Sequence, residues 1–124
     1  MRHYFTLLLM FILTVVNGQT FSGSVGNITD DGQPNDYDLI VNDVSLNTLS
    51  STIGLKEVCL NITHTWNSDL NVFLISPSGT QVNLFSGIGG DGDNFTNTCL
   101  SQTATTSINL GNPPYTGQFK PQET

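Results

Sequence analysis

Residues 61–84 read NITHTWNSDLNVFLISPSGTQVNL, and their alternation of apolar and polar side chains indicates the fold class. The apolar residues of one face lie on both sides of Pro77-Ser78-Gly79: Leu70, Val72, Leu74, Val82 and Leu84. A period of two residues is typical of a half-buried strand. Proline presets the backbone of a turn, and the glycine that follows has no Cβ to restrict it. The stretch therefore predicts a β-hairpin with strands over 70–76 and 80–85, in an all-β protein.

Other segments predict further strands. The strongest is 55–64, in which Val58, Leu60 and Ile62 share one face and Cys59 lies on the other. Weaker strands are expected over 37–41, around Val44, Leu46 and Leu49, and over 97–101 and 107–110. A glycine-rich loop over 86–94 and a break over 113–117 separate some of these segments. Several short strands between turn signals predict a β-sandwich or barrel.

The N-terminal residues predict export. Residues 1–18 combine a short basic start with an apolar run from Phe5 to Val16 and end in Val16-Asn17-Gly18, which is typical of a secretory signal peptide cleaved before Gln19. The alternative, a membrane anchor, needs a longer apolar run to cross a bilayer. We expect residues 19–27 to form a flexible polar leader and residues 28–124 to form one small secreted domain.

The charge of the exported chain excludes some partners. Only Lys56 and Lys120 remain as cations against ten acidic residues, which gives a net charge of −8. Such a surface repels phosphate backbones and anionic lipids, so we expect neither nucleic acid nor membrane as a partner. Divalent cations are compatible with it.

Two cysteines, Cys59 and Cys99, remain after cleavage. An even number of cysteines in an exported chain predicts one disulfide bond, and two buried free thiols are the alternative. On the chain-entropy model, closing a loop of about 41 residues stabilises the domain by roughly 4 kcal/mol.

Several motifs together resemble the P domain (Homo B domain) of proprotein convertases and bacterial secreted subtilisin-like proteases. They are Ile28-Thr29-Asp30, Gly54-Leu55, His64-Thr65-Trp66, Asp69-Leu70, the loop Gly89 to Phe95, Pro114-Tyr115-Thr116-Gly117 and Pro121. The resemblance covers 28–124 and implies a jelly-roll-like β-sandwich. Where many members carry two aspartates, this chain has Ser101-Gln102. Because members continue with further strands, we expect the sandwich to be incomplete at its C-terminus.

The sequence does not predict catalysis. A serine-hydrolase triad requires a histidine base, and His64 is the one histidine left after cleavage. No Gly-x-Ser-x-Gly, His-Glu-x-x-His or Cys-x-x-Cys motif accompanies it. We expect His64 and Asp69 to hydrogen-bond locally and fix the hairpin, and we expect the chain not to be an enzyme.

One loop has the composition of a calcium site. Asp91, Asp93 and Asn94 group hard oxygen ligands, which calcium prefers, and the carbonyl groups of Gly89 and Gly90 lie close by in sequence. The alternative is a solvated acidic turn in which Asp and Asn tolerate unusual backbone angles.

The predicted function follows from the resemblance. It implies a secreted, non-catalytic module, of bacterial origin, that stabilises or targets a subtilisin-like serine endopeptidase, with a protease catalytic domain or a cell-surface component as partner. The alternative is a stand-alone adhesion or glycan-binding module that uses an exposed aromatic such as Trp66. Burial is the favoured interpretation of the aromatic residues Trp66, Phe73, Phe85, Phe95 and Tyr115.

Overall fold

The computed structural model describes residues 18–29, 31–44, 48–50 and 53–122, so the expected signal peptide lies almost entirely outside the described residues. Contacts divide the chain into two units, Met1–Asn47 and Thr48–Thr124. Within the described residues, no helix is long and apolar enough to cross a membrane.

The described part of the first unit, residues 18–29 and 31–44, contains no regular secondary structure. Side chains organise it locally: the Tyr37 hydroxyl donates to the Asn27 carbonyl oxygen at 2.7 Å, and Asn35 Oδ1 accepts from the Thr29 amide at 2.9 Å. The strand predicted over 37–41 is wrong, because this segment has no hydrogen-bonded partner strand among the described residues and its apolar side chains are exposed. The weak strand around Val44 lies partly outside the described residues.

The second unit contains two β-sheets, which confirms the all-β class. A three-stranded sheet has the order β1 (Val58–Ile62), β4 (Phe95–Leu100) and β5 (Gly117–Phe119). In this sheet β1 and β4 are antiparallel, whereas β4 and β5 are parallel. The other sheet is the antiparallel hairpin of β2 (Asn71–Ile75) and β3 (Gln81–Ser86).

The predicted hairpin is confirmed. Its turn is closed by two hydrogen bonds of 2.8 Å, from the Ser76 amide to the Thr80 carbonyl and from the Gly79 amide to the Ser76 carbonyl, and Gly79 has φ of 84°. A bulge lies between the pairs Val72↔Phe85 and Phe73↔Asn83, which leaves Leu84 as an extra residue. Because a bulge interrupts the alternation of side chains, the consecutive residues Leu84 and Phe85 are both buried.

A stack of aromatic rings joins the two sheets. Phe85 of β3 stacks on Phe95 of β4 with 4.4 Å between ring centroids, and Phe95 stacks on Tyr115 at 4.9 Å. The three side chains are 0%, 1% and 3% exposed, as predicted. Burial raises the pKa of the Tyr115 hydroxyl above its ordinary value. Trp66 and Phe73 are 51% and 42% exposed, so their predicted burial is wrong; Phe73 alternates with Val72 and Leu74, which pack against the core.

The C-terminal segment differs from expectation. The strand predicted over 107–110 is a 3₁₀ turn, Ile108–Leu110, in which the Ser107 hydroxyl accepts from the Asn109 amide at 3.3 Å. Ser107 forms an isolated parallel β-bridge to Lys120. Strand β5 was not expected after the proline-rich break, because three residues are too few to show a periodic pattern.

The stack gives a test of the core. Phe95→Ala should lower the free energy of unfolding by about 3–5 kcal/mol, because it removes the central ring and leaves a cavity. Phe73→Ala, which removes a ring of the same size from an exposed position, should cost less than about 2 kcal/mol. Urea unfolding with the disulfide intact measures both, and equal losses would show that Phe95 is not the centre of the core.

Candidate functional site in the glycine-rich loop

A buried asparagine holds the glycine-rich loop 86–94 in place. Asn67 begins the 3₁₀ turn Asn67–Asp69 and is fully buried. The backbone amide of Asn67 donates to the Gly92 carbonyl at 2.9 Å, and its side-chain Nδ2 donates to the Asn94 carbonyl at 2.9 Å. The next amide, of Ser68, donates to the Gly90 carbonyl at 3.1 Å. Three hydrogen bonds therefore connect the 3₁₀ turn to the loop.

Close packing requires glycine at position 89. A Cβ on Gly89 would lie 2.9 Å from Asn67 Cβ and 3.1 Å from the Tyr115 ring, and the residue has φ of 90°. Both the space and the backbone angle exclude a larger side chain. The loop thus lies directly on the aromatic core.

Asn94 is the second anchor of the loop. Its Oδ1 accepts from the His64 amide at 3.1 Å, while its own amide donates to the His64 carbonyl at 2.9 Å. Its φ of 64° lies in the left-handed region, which asparagine tolerates better than most residues. The Asn94 side chain is therefore already engaged by the backbone of the strand-to-hairpin connection.

The other proposed calcium ligands have different surroundings. Asp91 and Asp93 are exposed, and their carboxylates have no hydrogen-bond or ion-pair partner within the described residues. The carbonyls of Gly89 and Gly90 accept from the amides of Gly92 and Ser68. The loop therefore offers two solvent-facing carboxylates, whereas calcium takes six to eight oxygens, so water would have to supply most of the remaining ligands.

The structure brings His64 to Trp66 and not to Asp69. His64 Nδ1 lies 3.1 Å from the Trp66 amide nitrogen and 2.9 Å from the Trp66 carbonyl oxygen. No hydrogen bond joins His64 to Asp69 in the part of the chain that the structure describes. The histidine thus orients the backbone of Trp66, whose indole is half exposed.

The predicted disulfide is present and lies away from this loop. Cys59 of β1 and Cys99 of β4 are direct cross-strand partners with Cα atoms 4.0 Å apart. Glu57 lies beside the two sulfurs, but disulfide sulfurs are not thiolates, so this group is no metal site.

Three residues that contact the loop or surround the disulfide were not identified from the sequence. They are Asn67, which holds the loop, Glu57, which lies beside the sulfurs, and Gln118, which hydrogen-bonds Glu57. Asn67 reads as one polar residue of a turn, and its burial depends on the distant loop that covers it. Glu57 and Gln118 meet across 61 residues of sequence, and no local pattern signals such a contact.

Comparison with known families supports the resemblance. The family model of the proprotein convertase P-domain matches residues 55–113, from the entry to β1 through β4 and the turn Ile108–Leu110. This match confirms the resemblance over those residues. No curated protein and no solved structure shows significant similarity to the chain.

Two variants separate the side-chain and backbone roles of Asn94. Asn94→Gly removes the acceptor for the His64 amide but keeps the left-handed backbone accessible, so we expect a loss of about 1–2 kcal/mol. Asn94→Ala should lose about 1 kcal/mol more, because alanine resists that backbone angle. Urea unfolding compares the pair; an alanine variant at least as stable as the glycine variant would contradict this description of the loop.

Proposed function

Since residues 55–113 match the proprotein convertase P-domain, we propose that this chain is a secreted accessory module that stabilises or targets a subtilisin-like serine endopeptidase. The family match carries the proposal. The signal-like residues 1–18 and the disulfide are consistent with export, because disulfides persist in oxidising compartments.

The chain contributes no catalytic chemistry of its own in this proposal. His64 is the one histidine after residues 1–18, and its Nδ1 contacts the backbone of Trp66. A general base must lie within hydrogen-bond reach of the proton that it abstracts, and this nitrogen is already occupied by the backbone. The module acts instead as a folded partner, in which an aromatic stack joins two sheets and a disulfide links β1 to β4 within one of them.

A graft tests the proposal. The full chain without residues 1–18 replaces the P domain of a secreted subtilisin-like protease that needs one for secretion and heat resistance. We expect the graft to restore secreted activity and to lengthen its half-life at elevated temperature, relative to the protease without any P domain. A graft carrying Phe95→Ala serves as the control for folding. A folded graft that restores neither quantity would contradict the accessory role.

The isolated chain should hydrolyse no casein, ester or peptide substrate. Because His64 does not act as a general base in this proposal, a His64→Ala variant should be indistinguishable from the parent chain in these assays. Activity that survives repurification and disappears in His64→Ala would show that the histidine acts as a base.

The exposed indole of Trp66 favours a second candidate function, a glycan-binding module. A half-exposed tryptophan held by His64 offers a flat apolar surface on which a sugar ring can stack. Saturable polysaccharide binding that is lost in Trp66→Ala, together with failure of the graft, would favour this candidate over the first.

We also propose weak calcium binding by the loop, with Asp91 and Asp93 as ligands. Asn94, which follows them, holds the end of the loop in place through its two hydrogen bonds to the His64 backbone. Calcium should raise the melting temperature relative to chelator, and an Asp91→Asn, Asp93→Asn double variant should lose the difference. Asp69→Asn is the control for a change in surface charge. Equal melting of the parent chain in calcium and in chelator would leave a solvated acidic turn.

A further inference from the structure

The disulfide lies on the outer face of the three-stranded sheet. Along β1, Val58, Leu60 and Ile62 pack against the core, while Cys59 is exposed on the opposite side. Its partner Cys99 is half-buried between the buried residues Thr98 and Leu100. A small thiol in solution can therefore approach the bond, at Cys59 in particular, without opening the core.

A carboxylate lies next to this exposed bond. Glu57 Oε2 is 3.4 Å from Cys59 Sγ. The other oxygen, Oε1, accepts a hydrogen bond from Gln118 Nε2 on β5, and Gln118 is the register partner of Cys99. Gln118 thus holds the carboxylate on the sulfur side of the sheet. No salt bridge to Glu57 occurs among the described residues, so its charge is not paired with a cation.

We propose that the Cys59–Cys99 bond is a reducible clasp and that Glu57 determines which thiols open it. In the first step a thiolate attacks one sulfur, the S–S bond breaks, a mixed disulfide forms and the other cysteine leaves as a thiolate that takes up a proton. In the second step another thiol of the same class attacks the mixed disulfide. The products are two cysteine thiols and the oxidised form of the small thiol, so two electrons pass from the reductant to the protein.

The carboxylate slows both possible first steps. Attack at Cys59 brings an anion toward Glu57, and like charges a few ångströms apart repel each other. Attack at Cys99 releases the Cys59 thiolate beside the same carboxylate, which makes it a poorer leaving group. The first effect grows with the negative charge of the incoming thiol, whereas the second is the same for every thiol. Glu57 therefore discriminates most strongly against anionic thiols.

Opening the clasp affects the edge of the sheet. β1 pairs with β4 and is an edge strand in the described sheet order, and the disulfide links the two strands directly, in addition to their hydrogen bonds. Reduction allows β1 to separate and expose Val58, Leu60 and Ile62. The thiols surrounding the exported chain would thus regulate the stability of the domain, and Glu57 would protect it from those that carry negative charge.

The test measures the rate of disulfide reduction with three thiols, each adjusted to the same thiolate concentration. Glutathione is the most anionic, 2-mercaptoethanol forms a simple thiolate, and cysteamine carries an ammonium group that offsets its thiolate. Glu57→Gln keeps the acceptor oxygen and removes the charge. We expect it to accelerate reduction by 2-mercaptoethanol roughly three- to fivefold, by glutathione more and by cysteamine less. Salt at about 1 M should shrink these differences, because it screens charges beyond about 3 Å.

Two controls keep the result interpretable. Asp69→Asn removes one negative charge outside the three-stranded sheet and should leave all three rates unchanged. Melting under non-reducing conditions shows whether Glu57→Gln has loosened the sheet. The proposal is overturned if Glu57→Gln reacts no faster than Asp69→Asn. It is also overturned if the acceleration is the same for all three thiols and insensitive to salt, because Glu57 then does not select among thiols by their charge.

Discussion

The contact on which the second unit depends is the stack of Phe85, Phe95 and Tyr115. Each ring comes from a different part of the chain: β3 of the hairpin, the start of β4, and the segment before β5. An isolated two-stranded hairpin is marginally stable in water, so the hairpin needs a surface on which to bury Leu84 and Phe85. The rings provide that surface, and the bulge in β2–β3 allows two consecutive residues to reach it.

The candidate site follows from this core. Gly89 contacts the Tyr115 ring, and Asn67 fixes the loop from the other side. Within the described part of the chain, Asn67 Oδ1 is buried without a hydrogen-bond partner, a cost that the three hydrogen bonds of the Asn67–Asp69 turn to the loop offset. As a result Asp91 and Asp93 are presented to solvent on a loop whose C-terminal part, at Gly92 and Asn94, is fixed by Asn67 and His64. The disulfide lies away from this loop and links β1 to β4 on the outer face of the three-stranded sheet.

The sequence predicted what local pattern can predict. Alternating apolar residues and a Pro-Ser-Gly turn identified the hairpin, and an even number of cysteines behind a signal-like N-terminus predicted the disulfide. The strand at 37–41 was wrong because apolar composition cannot supply a hydrogen-bonding partner, and β5 was missed because it forms only by pairing with β4. Asn67 and the Glu57–Gln118 contact depend on residues far apart in sequence, which periodicity does not report. Burial of Trp66 was predicted because aromatic side chains are usually buried. In the structure the Trp66 backbone contacts His64 while the indole remains half exposed.

Native-state hydrogen exchange tests most directly whether the aromatic stack makes the two sheets one cooperative unit. If it does, backbone amides that pair β2 with β3 and amides that pair β1 with β4 exchange through the same global opening, with equal free energies and equal dependence on denaturant. A hairpin whose amides exchange at a much lower free energy than those of β1 and β4 would show that the sheets open independently, and that the stack does not join them.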